Sequence, residues 1–274
     1  EPRYQPGTFY NARPERAEMQ GVPARDGLGY AMCTSCPETR RWLLDAVKQV
    51  FASAPGLGGI FTITSSENPT SCASHWTQNK CERCRKRKRT EIIAEVNATM
   101  VEGMLAGNPE AQAIVWDWGW GAAAVPEIVG LLPRDGARLM SVSERGQRIE
   151  RGGVKTEVGE YSVTAPGPSA DAKAAWGAAR KLGAKTMAKV QANSSWELSP
   201  FPYLPVFDLV AEHAERIAAE GVDGVMMSWS LGCYPAPNLS VFGRWKKGDS
   251  KDATLNALAE ELYGKPAARA VREA

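Results

Sequence analysis

Strand and helix signals alternate along the chain, and this order constrains the fold more than any other feature of the sequence. Six β-rich segments are separated by stretches whose apolar residues have helical or loop-like spacing. These segments are residues 28–33, 60–64, 113–118, 137–142, 186–191 and 224–229. Strands joined through helices form right-handed βαβ units and a parallel sheet. The order therefore predicts an α/β fold, either a doubly wound sheet or a (β/α)8 barrel.

Polar and aromatic residues follow nearly every predicted strand, and their positions favour the barrel. Examples are Ser66-Glu67-Asn68, Asp117-Trp118 and Ser143-Glu144. In a barrel the carboxyl ends of the strands meet at one mouth, where the chemistry takes place. A dinucleotide-binding sheet is disfavoured because no Gly-rich phosphate motif follows any of the segments.

Counting strands back from the last segment predicts an incomplete barrel. If residues 224–229 form the eighth strand, the six segments are strands three to eight of a TIM-type (β/α)8 barrel, and the first two lie upstream. We then expect one catalytic-type domain over residues 1–274, cut from a longer protein, with a Cys/His-rich loop at 68–89. A barrel without two strands exposes sheet edges, which favours a homo-oligomer or pairing with the missing part.

Charge and hydropathy narrow the range of partners. Thirty-three Lys and Arg residues nearly balance 31 Asp and Glu residues, so the net charge of +2 indicates no nucleic acid or anionic membrane as a partner. No window approaches ~18 consecutive apolar residues, so no membrane span is expected. The basic run at 83–89 lacks interleaved aromatic residues, and we interpret it as the solvated start of a helix.

Two carboxylates follow strands that a barrel would place at its mouth. Glu67 comes after the fourth barrel strand, and Glu197 lies six residues beyond the seventh. Glycosidases need two carboxyl groups, one to protonate the leaving oxygen and one to attack or to activate water. Carboxylates after strands also cap helices, but Glu67 is followed by Asn68 and a proline rather than by a helix start. We therefore predict Glu67 and Glu197 as catalytic residues.

Aromatic residues accompany these carboxylates. Trp116, Trp118 and Trp120 alternate at strand period, which places them on the face opposite Asp117. Exposed aromatic rings stack on the apolar faces of sugars, although a tryptophan more often fills a core. The predicted substrate-binding residues are Asn68, Trp116, Asp117, Trp118, Glu144, Trp196 and Trp229.

The cysteines predict a metal site. Cys72, His75, Cys81 and Cys84 have C-x2-H-x5-C-x2-C spacing, in which two chelating pairs can hold one tetrahedral zinc ion. Such a structural zinc would fix the loop after Glu67 and so position that residue. Two alternatives stay open: Cys33 or Cys36 replaces one ligand, or the even number of cysteines, six, forms disulfides.

Several segments together resemble bacterial glycoside-hydrolase-like barrels, grouped with the family 20 β-N-acetylhexosaminidases. They include 32–35, 59–68 with the Cys/His cluster, 116–120, 195–205 and 228–232. The resemblance implies a (β/α)8 barrel that acts on amino-sugar-containing glycans. That family carries an Asp-Glu pair after strand four, with Glu as the general acid and Asp steering the substrate acetamido group. Here Ser66 stands where that family has Asp, so the resemblance implies only the general-acid role, for Glu67.

The sequence thus predicts a glycoside hydrolase that uses carboxylate acid/base catalysis. With Glu197 as the nucleophile, the mechanism would be the two-carboxylate retaining one. A catalytically silent carbohydrate-binding barrel is the alternative, since no Asp precedes Glu67. A third interpretation makes the cysteine cluster a regulatory or interaction module. The expected partner is a carbohydrate, and a glycan-degrading role would place the protein in the periplasm or outside the cell.

Overall fold

A computed structural model describes residues 17–23, 29–66, 69–193, 201, 204–228, 235–245 and 250–273. Its strands are β1 (Gln20–Pro23), β2 (Tyr30–Met32), β3 (Gly59–Ile63), β4 (Gln112–Trp116), β5 (Ala137–Val142), β6 (Arg148–Arg151), β7 (Val154–Glu157), β8 (Lys185–Val190) and β9 (Gly224–Met227). Its α-helices are α1 (Pro37–Ser53), α2 (Arg89–Gly107), α3 (Val125–Leu131), α4 (Ala170–Lys181), α5 (Phe207–Glu220), α6 (Pro237–Arg244), α7 (Lys251–Tyr263) and α8 (Lys265–Glu273). The chain divides into two compact units, residues 1–140 with 177–185, and residues 141–176 with 186–274.

The main sheet has five strands in the order β3-β4-β5-β8-β9. The paired strands whose register is defined run parallel, with Phe61 opposite Ile114 and Val115 opposite Leu139. In β8 and β9, Ala188 lies opposite Val225. These five strands coincide with five of the six predicted segments and follow one another in chain order.

The prediction of a TIM-type barrel with strands three to eight is wrong. The segment expected to be the first of the six, β2, pairs antiparallel with β1 in a separate two-stranded sheet. Its backbone hydrogen bonds are therefore made to a neighbour in sequence, and the described parallel sheet contains five strands. The apolar pattern of residues 28–33 correctly indicated a strand, but such a pattern does not specify which strand it pairs with.

The first unit is built on two packed helices beside β3 and β4. Leu43 of α1 packs against Val96 and Met100 of α2. Gly103 permits the helices to approach closely, because a Cβ atom at that position would lie 2.6 Å from the Leu44 carbonyl oxygen of α1. Helix α2 is thereby held with its amino end at the loop that follows β3.

The second unit has its own apolar core. Val210 and Ala211 of α5 pack with Val241 of α6 and with Leu255 and Leu258 of α7. A second cluster surrounds the fully buried Trp176 of α4, whose indole N–H donates to the Met187 carbonyl of β8 at 3.0 Å. Among the described helices, none has the length and apolar character needed to cross a bilayer.

Candidate metal centre and adjoining site

Four buried cysteine thiols meet in the first unit. The Sγ atoms of Cys33, Cys72, Cys81 and Cys84 all lie within 4.8 Å of one another. The Sγ atom of Cys33 is 3.7 Å from that of Cys81 and 3.6 Å from that of Cys84. Four sulfurs bound to one tetrahedral zinc at about 2.3 Å would be separated by about 3.8 Å. The thiols are free rather than joined in disulfides, and their spacing fits a single metal ion.

Two local structures place these thiols. Cys33 directly follows β2, and its N–H donates to the Met19 carbonyl at 2.9 Å. Cys81 and Cys84 lie on one tight turn, where the Cys84 N–H donates to the Cys81 carbonyl at 3.1 Å. Gly21 of β1 lets Cys72 reach the hairpin, because a Cβ atom at that position would collide with the Cys72 sulfur.

The group contains three of the four predicted ligands, Cys72, Cys81 and Cys84. Its fourth member is Cys33 in place of His75, which is outside the group that the described residues form. Replacement by Cys33 was one of the alternatives that the sequence left open. Spacing alone could not choose between them, because Cys33 is brought to the cluster by the β1–β2 hairpin rather than by a local turn.

Cationic side chains surround the thiols. The Nε–H of Arg83 donates to the Cys33 sulfur at 3.3 Å, and Ser35 Oγ lies 3.2 Å from the Cys84 sulfur. Arg87 donates to that same serine oxygen at 2.8 Å. Hydrogen bonds with the Cys72 and Cys84 thiols, together with Arg83, hold the pKa of the Cys33 thiol well below its ordinary value. The Cys33 thiol is therefore held toward the thiolate, the form in which cysteine binds a metal, and its hydrogen bonds raise the pKa of the Cys72 and Cys84 thiols.

The basic run at 83–89 is thus more than the solvated start of a helix. Helix α2 begins only at Arg89, whose side chain is 7% exposed. Its guanidinium donates to the carbonyls of Ala73 at 3.1 Å, Trp120 at 2.8 Å and Gly119 at 2.7 Å, and to Ser65 Oγ at 2.5 Å. Burial lowers the pKa of Arg89 to about 10, which leaves it charged at neutral pH. Arg89 consequently links the loop that contains Cys72, Cys81 and Cys84 (the cysteine loop) to the residues that follow β3 and β4.

The segment after β4 requires a glycine at the point where it meets this network. Gly119 has a φ of 76°, and a Cβ atom there would collide with the Ser65 carbonyl oxygen. The close approach of these two loops therefore depends on the absence of a side chain at position 119. It brings the end of β4 beside Ser65 and Ser66, the residues that immediately precede Glu67 in the sequence.

The aromatic residues of this segment have unequal exposure. Trp116 is 1% exposed, and its ring stacks on Phe61 at 5.6 Å and on Trp118 at 5.2 Å between centroids. Trp118 is half-buried, Asp117 is 8% exposed and Trp120 is buried. Strand β4 ends at Trp116, so the strand periodicity expected through position 120 does not continue past it. Trp118 is the predicted aromatic residue here that retains access to solvent.

Glu144 lies in a closed polar network of the second unit. Its carboxylate accepts the Gln191 backbone N–H at 2.5 Å and lies 3.7 Å from His213 Nδ1, while His213 Nε2 is 2.8 Å from Ser143 Oγ. Both Glu144 and His213 are almost completely buried. Burial lowers the pKa of His213 to about 3, so its ring is neutral. The sequence predicts Glu144 as a substrate-binding residue at the mouth of a barrel, because its position after a strand does not show its contact with His213.

The other predicted site residues lie outside the described part of the chain. They are Glu67, Asn68, Trp196, Glu197 and Trp229. No model of a known protein family matches the chain, and no curated protein matches it. The similarity to family 20 hexosaminidases and the catalytic assignments therefore stay predictions from the sequence.

Proposed function

We propose that Cys33, Cys72, Cys81 and Cys84 bind one structural zinc ion. The observation that carries this proposal is the mutual approach of four buried sulfur atoms to within 4.8 Å. Tetrahedral all-sulfur coordination is typical of structural zinc, whereas catalytic zinc keeps one position open for water or substrate. Nearby Arg83 and Arg87 offset the negative charge that four thiolates around a divalent ion would leave. One zinc ion per chain is expected in purified protein.

The proposed zinc has a structural consequence for the loop between β3 and α2. Three of its ligands lie within that loop, and Cys33 lies beside the β1–β2 hairpin. The ion would therefore join the loop to the hairpin at one end, while Arg89 joins it to the segment after β4 at the other. Glu67 belongs to the same loop in the sequence, five residues before Cys72, so zinc would limit the positions available to it.

We further propose that the protein is a glycoside hydrolase in which Glu67 is the general acid/base. This proposal is supported by the position of Ser65 and Ser66, next to the aromatic segment that follows β4. Trp118 and Asp117 offer a ring and a carboxylate there, the two kinds of group that bind sugars. Glu197 keeps its predicted role as the second carboxylate, which gives a two-carboxylate retaining mechanism. The amino-sugar preference comes from the resemblance alone.

Incubation of the protein with aryl glycosides and oligosaccharides tests this proposal. We expect release of the aglycone or of reducing sugar, including from N-acetylglucosaminides, with retention of anomeric configuration in the first product. Binding of the same oligosaccharides without any release would instead support the alternative, a carbohydrate-binding protein without catalytic activity. If the protein neither binds nor hydrolyses any of these compounds, both functions are contradicted.

A further inference from the structure

Trp76 combines high exposure with a constrained backbone. The residue is 65% exposed, although it lies in the cysteine loop between the buried Cys72 and Cys81. It has a φ of 60°, and the preceding His75 has a φ of 54°. Residues other than glycine rarely adopt this left-handed conformation, and such strain is concentrated at ligand-binding and active sites. The fold therefore holds a large apolar ring in solvent at some conformational cost.

The orientation of the Trp76 ring is also fixed by a cation that lies over one of its faces. The guanidinium carbon of Arg89 lies 3.7 Å from the centroid of the Trp76 ring. Arg89 itself is buried and held by four hydrogen bonds to Ser65, Ala73, Gly119 and Trp120. Because Arg89 covers one face of the indole and the residue is nevertheless 65% exposed, the opposite face is the one open to solvent.

The position of this ring adjoins the proposed catalytic region. Through Arg89, Trp76 is connected to Ser65 after β3 and to Gly119 after β4. A Cβ atom on Gly121 would lie 3.8 Å from the edge of the Trp76 ring, so the ring extends along the segment that follows β4. The cysteine cluster anchors the loop on both sides of Trp76 in sequence. An exposed ring held in this way is a preorganised surface for a flat apolar ligand.

We propose that Trp76 is a substrate-binding platform on which one pyranose ring of a glycan stacks, at a subsite beside the one that contains the scissile bond. This inference rests on the proposed glycosidase function. A pyranose presents axial C–H groups on one face, and these pack on an aromatic ring while the hydroxyl groups remain hydrated. The platform requires little ordering on binding, since Arg89 and the strained backbone already fix it.

Three variants of the full chain test the platform. We expect Trp76→Ala to weaken binding of an oligosaccharide of the panel by about two- to tenfold, and Trp76→Phe to recover part of the loss, because a smaller aromatic ring still stacks on the sugar. Trp42→Ala, at the 39% exposed Trp42 of α1, is the matched control and should bind as the wild type does. Calorimetric titration with β-1,4-linked tetrasaccharides of N-acetylglucosamine, glucose, mannose and xylose gives the affinities.

The outcomes separate this inference from the function on which it rests. On a long substrate Trp76→Ala should raise KM and change kcat less than about threefold, because the subsite is away from the reacting bond. If Trp76→Ala binds a tetrasaccharide as tightly as the wild type does, the proposed platform is overturned and the proposed glycosidase function is not. Loss of self-association in Trp76→Ala with unchanged glycan affinity would also overturn it, and would identify a protein interface. A wild-type protein that binds none of the four tetrasaccharides would overturn the proposed function and the platform with it.

Discussion

Glu67→Gln is expected to lower kcat for aryl glycoside hydrolysis by about 10²–10⁴-fold and to leave oligosaccharide affinity nearly unchanged. The amide has almost the same shape as the carboxyl group, but it cannot donate a proton to the leaving oxygen. The loss of kcat/KM should be smallest for glycosides with strongly acidic phenols, since these leaving groups need little protonation. Release of the phenol, measured across a series of leaving groups, gives both the size of the loss and its dependence on leaving-group acidity.

A matched substitution controls for the general effect of removing a carboxylate. Glu102 is exposed on α2, and Glu102→Gln should hydrolyse all substrates at the wild-type rate. Wild-type turnover by Glu67→Gln would exclude Glu67 as the general acid/base. An equal loss of kcat/KM with every leaving group would also contradict that role, because kcat/KM reports the step in which the phenol leaves and an acid catalyst matters most for the poorest leaving group.

Cys33→Ser is expected to abolish stoichiometric zinc binding and to destabilise the protein by at least about 3 kcal/mol, or roughly 6–12 °C in Tm for a chain of this size. A serine hydroxyl is a poor zinc ligand, and removal of one thiolate opens the coordination shell. Metal analysis of the purified variant, together with thermal unfolding in the presence and absence of a chelator, measures both effects. The chelator should bring wild-type protein close to the Tm of the variant and should not affect the variant itself.

Two further substitutions make the ligand assignment specific. Cys36 is also a buried cysteine near the β1–β2 hairpin, but its thiol donates to Glu38 at 3.1 Å and is outside the group of four, so Cys36→Ser should retain zinc. His75→Ala should retain it as well, because the imidazole is outside that group. Zinc loss in His75→Ala combined with full zinc content in Cys33→Ser would replace the four-cysteine site by the one expected from spacing alone.

The apolar pattern of the sequence was sufficient to locate the strands of the main sheet. It was not sufficient to predict whether that sheet closes into a barrel. The apolar runs of β3, β4, β5, β8 and β9 are each visible in the sequence, and chain order gives their order in the sheet. Strand β2 has an equally clear pattern, yet its hydrogen bonds are made to β1. Strand pairing depends on long-range packing, which single-sequence periodicity does not record, and this is where the barrel prediction failed.

The same distinction holds for the candidate site. The C-x2-C pair of Cys81 and Cys84 is a local motif and was identified from spacing, whereas Cys33 joins them through tertiary structure. The sequence places Arg89 in a basic run interpreted as solvated, because the carbonyls that bury it lie in distant segments. Glu144 was predicted at the mouth of a barrel for the same reason, since its contact with His213 runs from the segment after β5 to α5.

X-ray absorption at the zinc edge tests the four-cysteine centre most directly, because it counts the ligands of the metal in the intact protein. We expect one zinc per chain with four sulfur ligands at about 2.3 Å and no nitrogen ligand. Three sulfurs with one nitrogen at about 2.0–2.1 Å would contradict the participation of Cys33 and favour His75. Less than about 0.2 zinc per chain, with Cys72 found in a disulfide, would contradict the metal centre itself.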